Sequence, residues 1–151
     1  MTQAPVLVLV AQTAAAWYGA GFIWTMQILN YPLLSRIAVS SFSDYENAHN
    51  RRFALVVAPA VLVVLATTVL LFGRWARDVP AWTPIAAGAL IGIILMSTIL
   101  FQGPAHGRLA GGFDAAVHAK LVATNWIRTV AWTALAVIDS WALYGLVESS
   151  H

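Results

Sequence analysis

Tyr45, His49 and Arg52 stand at i, i+4 and i+7, a spacing that on a helix sets a phenol, an imidazole and a guanidinium on one face. A second stripe follows from His118, Asn125, Arg128 or Thr129, and Trp132 at i, i+7, i+10 or i+11, and i+14. Gln27 and Tyr31 are four residues apart, and Thr98, Gln102 and His106 repeat the same step. These side chains suit acid–base and binding chemistry. Imidazole exchanges protons near neutral pH, guanidinium holds anionic oxygens, and phenol and amide groups orient both.

His49, His106 and His118 come from three separate segments, and three imidazoles at similar depth in a bundle are what a haem, iron or copper centre would need. The chain has no cysteine, so disulfides, thiolate ligation, iron–sulfur clusters and thiol catalysis are excluded. Two carboxylates accompany the histidines: Glu46 stands three residues before His49, and Asp114 four before His118. Either pair could orient an imidazole, and either acid could equally be a first-turn residue that suits a helix N-terminus. A di-iron centre would need a second Glu-x-x-His unit and two further glutamates, which the chain lacks. Asp139 is a lone acid far along the last apolar segment, with Gln12 or Thr13 as candidate partners. His151, the final residue, is set apart from this group.

The elements that must position these residues are read from apolar run lengths. The 151 residues are 60% hydrophobic and 9% charged, with a mean hydropathy of +0.77, too little polar surface for an ordinary soluble globule. A crossing of the bilayer takes about 20 apolar residues, so four helices with short loops use nearly the whole chain. The pattern predicts helices over about 5–31, 43–72, 82–102 and 114–147: an all-α, four-transmembrane-helix antiparallel bundle in a single domain, 1–151. Pro32 is expected to end the first helix, and Gly103 and Pro104 the third. Ser43 is the expected cap of the second, with Glu46 in capping-box position. No Lys or Arg precedes the first apolar run, which is longer than a signal core, so it reads as a retained helix rather than a cleaved leader.

Short loops make consecutive helices antiparallel neighbours, so the four polar stripes gather at one end. That end carries Arg36, Arg51, Arg52, Arg108, Lys120 and Arg128, against Arg74 and Arg77 at the other. The positive-inside rule then puts the polar end in the cytoplasm and both termini on the non-cytoplasmic side, as in a bacterial inner-membrane protein. Arg128 lies about 10 Å beyond the point where its helix enters the hydrocarbon near Leu121, at 1.5 Å per residue. It is therefore expected to face inward and find Gln27, Tyr31, a carbonyl near Pro32 or an anionic ligand group. The basic residues are scattered in loops, not gathered as a nucleic-acid-binding stripe. Seven tryptophans suit an aromatic belt, and Gly19, Gly21, Gly88 and Gly92 suit close helix packing.

The run of Gln27, Tyr31-Pro32, Tyr45-x3-His49-x2-Arg52, Pro59, Gln102-x-Pro104-x-His106 and His118-x6-Asn125-Trp126-Ile127-Arg128-Thr129 resembles a group of small bacterial four-helix membrane proteins over nearly the whole chain. That group is in turn similar to the DUF1772 or anthrone-oxygenase-like membrane proteins, whose named members oxidise polycyclic aromatic substrates. The resemblance carries over His118, Asn125 and Arg128 only. It implies a hydrophobic or aromatic substrate entering between helices, with helix-end polar groups handling proton transfer or oxygen chemistry.

Two readings follow. In the first, the chain is a membrane oxidoreductase: His49, His118, Arg128, Tyr45 and Asn125 act on substrate, Gln27, Tyr31, Arg52 and Gln102 hold a cofactor, and His49, His106 and His118 are metal ligands. In the second it is a lipid-binding protein or a structural subunit, docked as a homo-oligomer or in a larger membrane complex, and the polar groups knit the helices together. A transporter is disfavoured by the narrow four-helix interior, the uncharged third helix and the lack of paired broken helices.

Overall fold

The computed structural model describes residues 3–73 and 76–148, so the expectations for Arg74 and His151 lie outside the described residues. Among the described residues there are four helices long and apolar enough to cross a membrane: α1, Ala4–Arg36; α2, Val39–Leu71; α3, Trp82–Leu109; and α4, Ala115–Glu148. They form a ring in which α1 packs on α2 and α4, and α3 packs on α4 and more loosely on α2. The antiparallel four-helix bundle read from the apolar runs is the architecture observed.

A seven-residue repeat explains which faces meet. On α4, Leu121, Asn125, Arg128, Trp132, Leu135, Asp139, Ala142 and Leu146 alternate at steps of four and three, and all are buried. On α2 the same rhythm runs through Phe42, Glu46, Ala60, Val64, Thr67 and Leu71. This is the period that lets helices coil around one another with a continuous seam. Outward positions such as Leu7, Leu55, Leu62, Val69, Ile85 and Ile99 are large, apolar and exposed, as lipid-facing residues are. The chain has the build of an integral membrane protein.

Prolines do not end the helices as expected. α1 continues past Pro32 and α3 past Gly103-Pro104, because each proline is preceded by a widened π turn, Met26–Asn30 and Thr98–Gln102. The residue before each proline bonds five residues back, Tyr31 N–H to the Met26 carbonyl and Gly103 N–H to the Thr98 carbonyl. A proline ring clashes with the carbonyl four residues earlier in an α-helix, and a widened turn relieves that clash without breaking the rod. Each bulge inserts one residue, which rotates everything after it. Tyr31 and Leu34 thereby become buried in place of Asn30 and Leu33, and Gln102 and Leu109 in place of Phe101 and Arg108.

α2 starts at Val39, earlier than Ser43, and its first residue follows Ala38 with no side-chain cap. Ser43 lies inside the helix, and Glu46 is buried on the inward face, not capping the helix end. Asp114 does cap α4: its Oδ1 accepts from the amides of Ala116 and Val117 at 2.8 and 3.0 Å. Of the four glycines read as packing positions, Gly19 lies tight against the Trp132 ring, whereas a Cβ at Gly21 or Gly92 would meet nothing within 4 Å.

Candidate functional site

Arg128 is 3% exposed and faces the bundle interior. Its Nε and Nη2 donate to Asn125 Oδ1 at 2.9 and 2.5 Å, and Nη2 also donates to the Tyr31 hydroxyl at 3.0 Å. Nη1 reaches only Thr98 Oγ1, at 3.5 Å. Asn125 in turn donates through Nδ2 to Gln27 Oε1 at 2.7 Å, and Gln27 Nε2 donates to the Val122 carbonyl at 3.3 Å. Of the partners anticipated for Arg128, Tyr31 is direct and Gln27 acts through Asn125.

From Tyr31 the network continues to α3 and α2. His106 Nε2 lies 3.2 Å from the Tyr31 hydroxyl, and its Nδ1 lies 2.5 Å from Glu46 Oε1. Because guanidinium can only donate, the Tyr31 oxygen accepts from Arg128 and its own proton is free for His106 Nε2. For a neutral ring this leaves the ring proton on Nδ1, facing Glu46 Oε1. The result is one chain, Arg128 to Tyr31 to His106 to Glu46, with a cation at one end and a carboxylate at the other. Tyr31 and Glu46 are wholly buried, so the chain runs in a medium where each link is stronger than in water.

The remaining sequence candidates divide around this chain. His118 lies 2.7 Å from the Tyr31 carbonyl through Nε2 and positions the turn that carries the phenol. Gln102 accepts from Ser97 Oγ at 3.0 Å and donates to Thr124 Oγ1 at 3.2 Å, tying α3 to α4 beside the site. His49 stacks on His106 with ring centroids 5.5 Å apart, and its Nε2 is buried without a partner. Tyr45 and Arg52 are exposed and stand outside the chain, lining with His49 a cavity of about 260 Å³ between α1 and α2.

The three histidines do not form one ligand set. Among the described residues no group of three His, Asp or Glu is arranged to hold a metal ion. The cause is visible in the bonding: both nitrogens of His106 are engaged by Glu46 and Tyr31, and His118 is turned to a backbone carbonyl. The residues as placed therefore do not fit a trihistidine metal centre.

Glu46 is the member whose role was not foreseen, since its nearest histidine in sequence is His49 and its partner in space is His106 on another helix. A signal existed in the sequence: Glu46 falls on the same four-three rhythm as Phe42, Ala60, Val64 and Leu71, so it belongs to the inward seam. Its second oxygen, Oε2, is buried with no partner.

At the opposite end Asp139 accepts from Gln12 Nε2 at 2.8 Å, and Thr68 Oγ1 donates to Gln12 Oε1 at 3.4 Å. Thr13, the other anticipated partner, bonds its own helix at the Leu9 carbonyl. This smaller cluster joins α4, α1 and α2.

A second cavity, about 270 Å³, lies between the helices above Arg128, with Thr98, Trp132 and otherwise apolar side chains around it. Phe22 and Phe53, rings 5.3 Å apart, line both cavities and divide them. Fold and site together define a four-helix membrane bundle with an internal acid–base chain flanked by two small cavities. No family model, no curated protein and no solved structure matches this chain.

Proposed function

We propose that this protein binds a hydrophobic small molecule within the membrane, held by Arg128 as a fixed cation whose position is set by the hydrogen-bonded chain to Glu46. The observation that carries this is the unbroken run Arg128, Tyr31, His106, Glu46, drawn from all four helices and ending beside a cavity. His49 Nε2 and Glu46 Oε2 lie buried and unpartnered beside this chain, two polar atoms with capacity left for a ligand. His49 then serves the neighbouring cavity as an acid–base group, with Tyr45 and Arg52 at its rim. The resemblance to anthrone-oxygenase-like membrane proteins agrees with a hydrophobic substrate. The charge bias supports a cytoplasmic setting for this end, in a bacterial inner membrane with both termini on the other side.

The test is solvent extraction and mass spectrometry of the protein purified in detergent, wild type against Arg128→Lys and Glu46→Gln. A hydrophobic compound enriched over bulk lipid in the wild type, and lost from Arg128→Lys while helicity and a single size-exclusion peak persist, is the expected result. An extract identical to bulk lipid in every variant refutes the proposal. The oxidoreductase version requires iron, copper or haem in stoichiometric amount, read by elemental mass spectrometry and visible absorption.

A second reading has its own support. The same hydrogen bonds connect α1 to α4, α3 to α4 and α2 to α3, as a structural subunit or lipid-binding protein would need. It expects variants at these residues to lose assembly in proportion to lost stability, with no ligand-specific effect.

A further inference from the structure

Arg128 is a buried cation whose direct partners are all neutral: an amide oxygen, a phenol and a threonine hydroxyl. The carboxylate that balances it, Glu46, stands three hydrogen bonds away. A charge at this depth ordinarily takes a directly opposed charge, because the low dielectric makes the uncompensated field costly. Arg128 also has spare donor capacity where it matters. Nη1 has a single partner, at the outer limit of a hydrogen bond, and Arg128 and Thr98 are the polar members of an otherwise apolar cavity lining.

The cavity has a route to the bilayer. It lies against the α2–α3 seam, the most loosely packed of the four, and Ala58 and Leu62 on its wall are exposed on the lipid-facing surface. Its volume, about 270 Å³, falls just under the range of about 300–1,000 Å³ usual for small-ligand sites. It accommodates the head of an amphiphile and a short apolar segment, and the rest must trail through the seam into lipid. Toward the other cavity it is closed by Phe22 and Phe53, and the Arg128 guanidinium carbon lies 5.9 Å from the Phe53 ring centroid.

We infer that the cavity is a binding site for a lipophilic monoanion, a molecule with an apolar tail and one anionic oxygen, which enters between α2 and α3 and places that oxygen on Arg128 Nη1. This rests on the hydrophobic-ligand reading above and adds the charge, the entry seam and the contact atom. The partly used guanidinium supplies the recognition, and the apolar walls exclude the water that would otherwise screen it.

The probe is 2-bromododecanoate, which carries its bromine beside the carboxylate, with its methyl ester and a para-alkylphenol as neutral comparisons, titrated into wild-type protein in a nonionic maltoside micelle. Affinity is read by calorimetry, and position by bromine quenching of tryptophan fluorescence, since Trp132 lines the cavity. The carboxylate is expected to bind at least about tenfold more tightly than the ester, as a charge-assisted hydrogen bond implies. A phenol that matches the carboxylate only above its own ionisation pH identifies phenolates as members of the same class. Saturable quenching should shrink in Trp132→Phe. Ala58→Phe, which fills the cavity from outside the hydrogen-bonded chain, should abolish binding and leave helicity and monodispersity intact. Equal affinity for carboxylate and ester, unchanged binding to Ala58→Phe, or quenching indifferent to Trp132→Phe each overturns the inference. An enriched hydrophobic compound in the extracts combined with any of those three results sinks this site alone, whereas no enriched compound with the expected carboxylate pattern sinks the resident-ligand reading alone.

Discussion

Asn125 is the residue on which three hydrogen bonds of the site converge, so Asn125→Leu is the sharpest test of whether those bonds hold the bundle. The substitution removes the 2.7 Å bond to Gln27 and both bonds from Arg128, at 2.9 and 2.5 Å. Only the Gln27 bond crosses between helices, and such bonds average about 0.6 kcal/mol and reach about 1.7; the two within α4 leave buried donors of Arg128 without their acceptor, at about 1–3 kcal/mol, so the total is roughly 2–5 kcal/mol. The upper half is expected, since Arg128 is left with Tyr31 and Thr98 alone and stays buried. Asn125→Asp should behave differently. It keeps oxygen acceptors for Arg128, now charge-assisted, but sets an acceptor against Gln27 Oε1. The Gln27 amide can turn over to offer Nε2, giving up its 3.3 Å bond to the Val122 carbonyl, so the net change should stay within about 1 kcal/mol. The assay is reversible unfolding in mixed micelles titrated with dodecyl sulfate and followed by far-UV circular dichroism, with a double-mutant cycle against Gln27→Leu. A cost below about 1 kcal/mol for Asn125→Leu, or no coupling to Gln27→Leu beyond about 0.3 kcal/mol, would refute the bonding scheme.

Other substitutions probe separate parts of the molecule in the same assay. Gly19→Ala would bring its Cβ to 2.5 Å from two carbons of the buried Trp132 ring, so it should cost about 1–3 kcal/mol; unchanged stability would mean that α1 and α4 are not in this contact. Glu46→Ala strips His106 Nδ1 of its acceptor and should cost about 1–3 kcal/mol, whereas Glu46→Gln keeps an oxygen there and should cost less than half as much; equal losses would argue against the Glu46–His106 bond. Asp139→Asn preserves the acceptor for Gln12 and should fall within about 1 kcal/mol of wild type, while Asp139→Leu, which orphans the Gln12 amide, should cost about 1–2 kcal/mol.

The polar residues were legible as sets because helical spacing is local: Gln27 with Tyr31, and Asn125 with Arg128, share faces by geometry alone. Their partners were less so. Glu46 reads in sequence as a neighbour of His49 or a capping acid, and only packing of α2 against α3 delivers it to His106. Tyr45 and Arg52 share a stripe with His49, yet they lie on its exposed edge and line a cavity, Tyr45 accepting from Asn30 Nδ2 at 3.4 Å. The histidines illustrate the same limit. Similar depth on three helices predicted convergence, but depth says nothing of rotation about each helix axis or of which acceptors compete for each ring nitrogen.

Four apolar runs of spanning length, short loops and the gathering of polar groups at one end followed from the sequence by itself, because hydrocarbon thickness and helix rise set them without reference to any neighbour. What the tertiary structure decided was rotation. The π turns before Pro32 and Pro104 add one residue to each rod, turning Tyr31 and Gln102 inward, and that shift selects which polar groups meet. A proline in a sequence announces strain in the turn before it, but whether the helix breaks or widens depends on the packing that the widened turn can reach. Here widening puts Tyr31 between Arg128 and His106, and the site exists as a consequence.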